Sequence, residues 1–248
     1  MKLVSIVIPY YKKSYFIEKT INSILKQSYS NFEIIIVYDD SEQEDLALIN
    51  KISKKDKRIL VVKNSQNLGA AKSRNIGISR SRGFYLAFID ADDLWHPNKL
   101  TRQLQFMKNN NLSFSYTSYK IINDKGKILK NKSVSKIISY KNLLTNCDIG
   151  LSTVVMKKNL ITKTCKFANL KTKEDYALWL LLAKKKTYLF GFDEFLTKWR
   201  KLDNSLSSDT IQKLFDGYRV YNKYLKFNFC KSLFYLLILS VNFIKKNI

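Results

Sequence analysis

The sequence contains few cysteines, and their spacing excludes two common kinds of structural site. Cys147, Cys165 and Cys230 are odd in number and far apart in a chain of 248 residues. They match neither the spacing of zinc ligands nor that of a disulfide framework. Because unpaired thiols are typical of reducing compartments, the sequence predicts a protein of the cytoplasm.

The sequence also lacks any segment typical of a targeting signal or a membrane span. Met1 and Lys2 lead directly into a predicted strand, so no signal peptide is expected. The longest apolar stretch, 233–244, is interrupted by Ser240 and Asn242 and is too short to cross a bilayer. We therefore expect a cytoplasmic protein, or one attached peripherally to the inner face of the cytoplasmic membrane.

Acidic residues are scarce, since 20 of them stand against 44 lysines and arginines and the formal net charge is +24. Such an excess would suggest a polyanionic partner. However, 37 of the basic residues are lysines scattered through every segment, and an AT-rich coding bias explains much of this. We expect no nucleic-acid partner, whereas an anionic membrane surface is better supported.

Apolar runs alternate with helical apolar spacings along the first half of the chain, whose length suits one large domain. Buried strands are predicted at 3–8, 32–38, 58–63 and 84–89, and helices at 14–27, 42–54 and 69–81. Pro9 is expected to end the first strand. This alternation predicts an α/β fold, a Rossmann-like and mostly parallel sheet flanked by helices.

The second half has a different pattern, which adds a small antiparallel portion. Apolar and polar residues alternate at 112–123, and the turn 124–126 leads into a second short strand, as in a hairpin. Further predictions are a strand at 151–156, a helix at 174–185, a final edge strand at 195–200 and helix throughout from Asp209 onward.

Four polar clusters follow the predicted strands or begin the next helices: Pro9-Tyr10-Tyr11, Asp39-Asp40-Ser41, 67–75 and 90–93. Since the carboxyl ends of parallel strands lie at one edge of a sheet, these clusters should line one crevice. Asp90, Asp92 and Asp93 would repel one another there, and a divalent cation would relieve the repulsion. The alternative is a solvated acidic turn that caps the next helix.

Together, the clusters suit a nucleotide diphosphate as ligand. An aromatic ring can flank the base, Asp39 can hydrogen-bond the base or the ribose, and Arg74 can pair with phosphate. Taken singly, Asp39 fits an ordinary turn and Arg74 fits an ordinary surface position equally well. It is their expected convergence that favours a nucleotide site.

Six motifs occur in a characteristic order: VSIVIPYY, FEIIIVYDDS, NLGAAKSRNIG, GFYLAFIDADDLWHPNKL, EDYALWLLL and WRKLDNSLS. With them the chain resembles the family 2 glycosyltransferases of bacterial glycan biosynthesis, over about four-fifths of its length. The resemblance implies the GT-A fold and an inverting transferase that uses a nucleotide-activated sugar, usually a UDP-sugar, with Mg²⁺ or Mn²⁺. The acceptor would be a glycan or a lipid-linked glycan.

The resemblance also implies roles for individual residues. Pro9 and Tyr11 would belong to the nucleotide-binding loop, and Asp39 would recognise the base. Arg74 would lie on the phosphate side. Asp90 and Asp92 would form the DXD motif, with Asp92 as the direct metal ligand.

By the same resemblance, Asp175 would be the catalytic base. An acceptor hydroxyl attacks from the face opposite the diphosphate, so a carboxylate on the acceptor side must take its proton. A neighbour such as Glu174, or burial, would have to raise the pKa of this aspartate. Without the resemblance, Glu174-Asp175 is simply negative charge at a helix N-terminus. Asp93, Glu174 and Arg200 are predicted as auxiliary or acceptor-side residues.

The chain departs from the family pattern at four positions. Tyr38 replaces the first aspartate of a pair, Asp40 replaces a glycine, Lys12 replaces an asparagine and Leu202 replaces a histidine that can complete the metal site. His96, the single histidine, fits an ordinary loop residue or a substitute ligand. These changes suggest weaker metal binding or an unusual donor.

We divide the chain at residue 208. Residues 1–208 would form the transferase domain, with 1–110 as the nucleotide-sugar half and 111–208 as the acceptor-side half. The helical extension 209–248 is rich in aromatic residues and lysines, so it fits an interfacial membrane helix or a helix that completes the core. Two other functions stay open, a catalytically impaired homologue that binds nucleotide sugars and a basic membrane- or polyanion-binding protein.

Overall fold

The computed structural model describes residues 1–202 and 209–247, and its first half alternates strands and helices. The elements are β1 (Val4–Tyr10), α1 (Ser14–Leu25), β2 (Phe32–Tyr38), α2 (Gln43–Ser53), β3 (Ile59–Lys63), α3 (Ala70–Arg80), β4 (Tyr85–Phe88), β5 (Leu94–Trp95) and α4 (Lys99–Asn109). The second half contains β6 (Phe114–Ile122), β7 (Ile128–Lys132), β8 (Ile137–Ile138), α5 (Tyr140–Leu143), β9 (Val155–Lys157), α6 (Glu174–Lys184), β10 (Leu189–Arg200), α7 (Thr210–Arg219) and α8 (Phe229–Asn247).

One mixed sheet has the strand order β3-β2-β1-β4-β9-β6-β10-β5. Strands β1 to β4 are parallel, β9 runs antiparallel to β4 and β6, and β10 is parallel to β6. The predicted α/β fold with a mostly parallel sheet and a small antiparallel part is confirmed. The carboxyl ends of β1 to β4 therefore lie at one edge.

The apolar runs form strands because both of their faces are covered. All seven residues of β2 are buried. In β1, Ile6 and Ile8 belong to the core on one side of the sheet, with residues of α1 and α2, whereas Val7 belongs to the core on the other side. Helix α3 packs very closely on β1 at Gly77. A Cβ at this position would lie 2.5 Å from a methyl group of Val7, so the packing requires glycine.

Several boundaries differ from the sequence predictions. Strand β1 continues through Pro9 to Tyr10. Its pairing with β4 ends at Val7, so Pro9, which has no N–H group to donate, lies where β1 has only one neighbouring strand. The predicted strand 151–156 begins as a 3₁₀ turn, Leu151–Thr153. The predicted edge strand 195–200 is wrong in position, since β10 lies between β6 and β5.

The C-terminal segment is helical but not continuous. A π-helical turn, Val220–Tyr224, follows α7, and residues 225–228 separate it from α8. Val220, Tyr221, Leu225 and Leu239 pack into the same core as Trp179 of α6. The predicted domain boundary at residue 208 lies outside the described residues. Within the described ranges, none of the helices combines the length and hydropathy needed to span a membrane.

Candidate active site

The four predicted clusters lie next to one another at the carboxyl edge of β1 to β4. The amide of Asp39 donates to the Tyr10 carbonyl at 2.9 Å, and the Asn67 side chain donates to the Asp39 carbonyl at 2.9 Å. Arg74, on α3, pairs with Asp90 after β4 at 2.7 Å. The convergence predicted from the topology is thus present in the structure.

Asp39 is buried, and its carboxylate organises the loop before α3. One oxygen accepts hydrogen bonds from the Asn64 side chain and the Leu68 amide, both at 2.7 Å. The other oxygen accepts from the amide of Gly69 at 2.8 Å, and Gly69 has a φ of +84°. A base or ribose would have to share these oxygens with the loop.

Asp40 fixes the loop that follows β1. Its carboxylate accepts a hydrogen bond from the Lys12 amide at 2.8 Å, and Lys12 has the left-handed φ of +48°. Tyr11 is 46% exposed, so its ring is accessible to a ligand. In contrast, the Tyr38 ring is buried and stacks on Tyr10. The replacement of an aspartate by Tyr38 therefore removes a carboxylate from the crevice.

The three aspartates after β4 each have a different partner. Asp90 pairs with Arg74 at 2.7 Å, and Asp92 pairs with the ammonium group of Lys13 at 2.8 Å. Asp93 is fully buried and accepts hydrogen bonds from the Ser152 hydroxyl and from the Arg200 amide. Asp93 therefore positions the loop and is not accessible to an acceptor.

The carboxylates are unfavourably crowded. Burial and the charge of Asp90 raise the pKa of Asp92, against the opposing effect of Lys13. Burial and the two neighbouring carboxylates raise the pKa of Asp93 well above its usual range. Both effects indicate a shortage of positive charge, and hard carboxylate oxygens suit Mg²⁺ or Mn²⁺. Among the described residues, no group of three or more His, Cys, Asp or Glu side chains could hold a metal.

Ser152 and Arg200 connect the aspartates to the second half of the chain. The Ser152 hydroxyl accepts from the Asp90 amide at 3.0 Å as well as donating to Asp93. The Arg200 guanidinium donates to the backbone oxygens of Asp92 at 2.8 Å and of Asn123 at 2.7 Å. The sequence gives no signal for Ser152, because it is an ordinary serine in a segment without a polar motif.

Arg74 also connects the DXD motif to the start of α6. Its other terminal nitrogen forms a buried ion pair with Glu174. Burial alone would lower the pKa of Arg74, but the charges of Asp90 and Glu174 more than compensate and keep the guanidinium ionised. Both terminal nitrogens of Arg74 thus have carboxylate partners. A bound phosphate would have to share these nitrogens with Asp90 and Glu174.

Burial raises the pKa of Glu174 to about 7, although Arg74 opposes the shift. Burial likewise raises the pKa of Asp175, again opposed by Arg74. One oxygen of Asp175 accepts a hydrogen bond from the Tyr176 amide at 2.7 Å. The environment therefore supplies the increase in basicity that a catalytic aspartate needs.

The backbone before α6 is held from the C-terminal helices. Lys173 has a φ of +58°, and the Asp216 carboxylate of α7 accepts hydrogen bonds from the Thr172 amide at 2.9 Å and its hydroxyl at 3.1 Å. His96 is exposed; its amide donates to the Leu196 carbonyl, its carbonyl accepts from the Gln27 side chain, and its imidazole Nδ1 accepts from the Asn98 amide. Leu202 is half-buried, and the residues of its motif that follow it lie outside the described residues.

A cavity of about 250 Å³ opens in the second half of the chain and is lined by Tyr119, Lys132, Ser133 and Asp148. Burial raises the pKa of Tyr119, and the charges of Asp148 and Asp93 raise it further, which places this cavity near the aspartate loop. Its lining combines an aromatic ring with hydroxyl, ammonium and carboxylate groups. Such a surface suits a sugar or a phosphate-bearing ligand.

The strand order of the sheet is that of the GT-A fold. The solved structures with this fold include S. aureus TarS residues 1–349 in complex with UDP-GlcNAc, which has a TM-score of 0.74 and 19% identity. That alignment covers 97% of this chain and 72% of TarS. A mannosyltransferase from Pyrobaculum calidifontis, in complex with GDP-Man and Mn²⁺, has a TM-score of 0.71 and 13% identity over 96% of this chain and 72% of its own.

The chain belongs to glycosyl transferase family 2, whose family description matches residues 5–163. It is 34% identical to the putative teichuronic acid biosynthesis glycosyltransferase TuaG of Bacillus subtilis, over 99% of this chain and 98% of TuaG. It is 36% identical to the Escherichia coli UDP-Glc:α-D-GlcNAc-diphosphoundecaprenol β-1,3-glucosyltransferase WfgD, over 99% and 95% of the two chains. The protein is therefore a family 2 glycosyltransferase of glycan biosynthesis.

Proposed function

We propose that this enzyme transfers one sugar from a UDP-sugar to a glycan or lipid-linked glycan acceptor, with inversion at the anomeric carbon. The observation that carries the proposal is the bridge from Asp90 through the buried Arg74 to the buried Glu174. It links the donor-side aspartates to the helix that bears Asp175. The printed names of TarS and WfgD, which include UDP-linked sugars, support the choice of donor.

The donor would lie along the carboxyl edge of β1 to β4. The exposed ring of Tyr11, beside Pro9, would stack on the base, and Asp39 would recognise the base or ribose. Arg74 would share its charge between Asp90 and the diphosphate. Charge-assisted contacts of this kind favour the leaving group as negative charge develops on it.

A divalent cation, Mg²⁺ or Mn²⁺, would be held by Asp92, with Asp90 beside it and with donor oxygens as the remaining ligands. When bound, it would neutralise charge on the diphosphate. The raised pKa values of Asp92 and Asp93 support a cation here. The ion pair between Lys13 and Asp92 implies that the cation must compete with an ammonium group.

Asp175 would act as the general base. It would take the proton of the acceptor hydroxyl while the hydroxyl oxygen forms a bond to the anomeric carbon and the bond from that carbon to the diphosphate breaks. Glu174 would hold Arg74 and keep negative charge near Asp175. Asp93 and Arg200 would position the aspartate loop through their hydrogen bonds.

The acceptor would occupy the cavity lined by Tyr119 and Lys132. Replacement of Lys132 by alanine should then raise the acceptor KM and leave the donor KM unchanged. The printed name of WfgD specifies a diphosphoundecaprenol-linked acceptor, which supports a lipid-linked acceptor for this chain. We accordingly place the enzyme in the cytoplasm, peripheral to the inner face of the cytoplasmic membrane.

Calorimetric titration with UDP, GDP and CDP, with and without Mn²⁺, tests the proposal on the wild type and on Asp92→Ala. We expect Mn²⁺-dependent binding of UDP that the substitution abolishes, together with sugar transfer by the wild type. Binding without transfer, under any metal, would instead favour the catalytically impaired homologue. A lack of binding to all three nucleotides would refute the proposed donor class.

A further inference from the structure

Helix α8 has one face in the core and an opposite face that is apolar but exposed. Ser232 and Leu239 are buried on the inner side. Most of its exposed apolar residues lie on one stripe, because Leu237, Val241 and Ile244 follow the adjacent pair Leu233 and Phe234 at intervals of three or four positions. Phe234 is 59% and Leu237 is 64% exposed. Such a stripe is unusual on a protein surface without a partner.

Helix α7 extends this surface. Ile211, Leu214 and Phe215 lie one turn apart and are exposed, Ile211 to 69% and Phe215 to 65%. The Lys213 ammonium group lies 5.8 Å from the Phe243 ring centroid, and a Cβ at Gly217 would lie 2.8 Å from the Leu236 side chain. These contacts place α7 antiparallel to α8, so the two exposed stripes are on neighbouring helices.

The charge of the segment identifies what would cover it. Residues 209–247 include seven basic residues: Lys213, Arg219, Lys223, Lys226, Lys231, Lys245 and Lys246. They include only two acidic residues, Asp209 and Asp216, and Asp216 is buried. A second copy of the chain would bring the same positive charge to the interface. A bilayer with anionic headgroups would accept the apolar stripes and also neutralise the lysines.

We propose that the exposed face of α7 and α8 docks the enzyme on an anionic lipid bilayer. The proposal deepens the proposed function, on which it rests for the choice of a membrane-held acceptor. The docked helices are also connected to the catalytic region, because Asp216 of α7 holds Thr172, three residues before Asp175. Docking would therefore bring the acceptor side of the crevice near the membrane without any spanning segment.

Co-sedimentation with vesicles tests the docking. One vesicle preparation contains phosphatidylglycerol with phosphatidylcholine, and the other contains phosphatidylcholine alone. We expect the wild type to bind the anionic vesicles and to dissociate as salt is raised. The double variant Phe234→Gln, Leu237→Gln should bind at least about tenfold more weakly, because two inserted side chains become polar. Tyr188→Gln, an equally exposed aromatic residue elsewhere, is the matched control and should bind normally.

Three results would overturn the docking proposal: no binding to anionic vesicles, equal binding of the double variant, or a concentration-dependent dimer in sedimentation that the double variant abolishes. The third result would assign the face to a second copy of the chain. UDP titration of the same samples separates this outcome from failure of the proposed function, since the double variant should bind UDP as the wild type does. Vesicle binding without UDP binding would refute the donor and leave the docking intact.

Discussion

Lys13 belongs to no motif, yet its ammonium group lies 2.8 Å from a carboxylate oxygen of Asp92. The loop geometry that places it there comes from Asp40, which holds the adjacent Lys12 amide. A positively charged side chain thus already pairs with the aspartate that we propose as the metal ligand. At the scale of one residue, this ion pair would oppose entry of the cation that we propose for Asp92.

Replacement of Lys13 by methionine should strengthen Mn²⁺ binding in the absence of nucleotide. The gain should be about fivefold or more, because this pair is mostly buried and an exposed ion pair already contributes up to about 1 kcal/mol. Electron paramagnetic resonance of unbound Mn²⁺ measures the affinity without any turnover. Lys12→Met is the control, since the Lys12 ammonium group lies over the Tyr11 ring. Equal Mn²⁺ affinities of the wild type and Lys13→Met would contradict the competition.

Replacement of Asp175 by asparagine should lower kcat by about a hundredfold or more and leave UDP affinity unchanged, because it removes the proposed base and spares the donor contacts. A base works only when deprotonated, so wild-type activity should fall as pH decreases through the raised pKa of Asp175. That acidic decline should lie above the usual range of aspartate, and the residual activity of the variant should not show it. A variant with near-normal kcat would exclude Asp175 as the base.

At the scale of the element, α4 contains a lysine in an unusual environment. Lys99 is completely buried, and its ammonium group donates to the Gln103 side chain at 2.5 Å and to the Thr153 carbonyl at 3.3 Å. Burial lowers the pKa of Lys99 from 10.5 to about 7. Lys99 therefore anchors α4 to the Leu151–Thr153 turn, but burial of its charged form reduces the free energy of unfolding.

That reduction depends on pH in a defined direction. The unfolded chain keeps the Lys99 proton up to about pH 10.5, whereas the folded protein releases it near 7, so this group makes folding more favourable as pH rises through that window. The Tm of Lys99→Met minus that of the wild type should be largest at pH 7 and below, and should decrease towards pH 10. Lys108→Met, on the same helix but exposed, should show no such trend. A constant Tm difference for Lys99→Met would refute the lowered pKa.

Elements with local determinants were predictable from the sequence, whereas elements set by distant contacts were not. The bounds of β2 were predicted to the residue, because its apolar run carries its own signal. The 3₁₀ turn Leu151–Thr153 was missed, since Ser152 is held by Asp90 and Asp93 from another part of the chain. The convergence of Asp39, Arg74 and the DXD motif followed from topology. The pairing of Asp92 with Lys13 depends on side-chain direction, which no sequence pattern indicates.

At the scale of the whole molecule, residues near the C-terminal end of the sequence complete the core around α6. Trp179 and Tyr176 of α6 are buried in the same cluster as Val220, Tyr221, Leu225 and Leu239, and the hydroxyl groups of Tyr176 and Tyr221 lie 2.9 Å apart. During synthesis, the apolar surface of α6 leaves the ribosome before the residues that cover it. We therefore expect the nascent chain to expose this surface until residues 220–239 have emerged, and to bind chaperones that recognise exposed apolar segments.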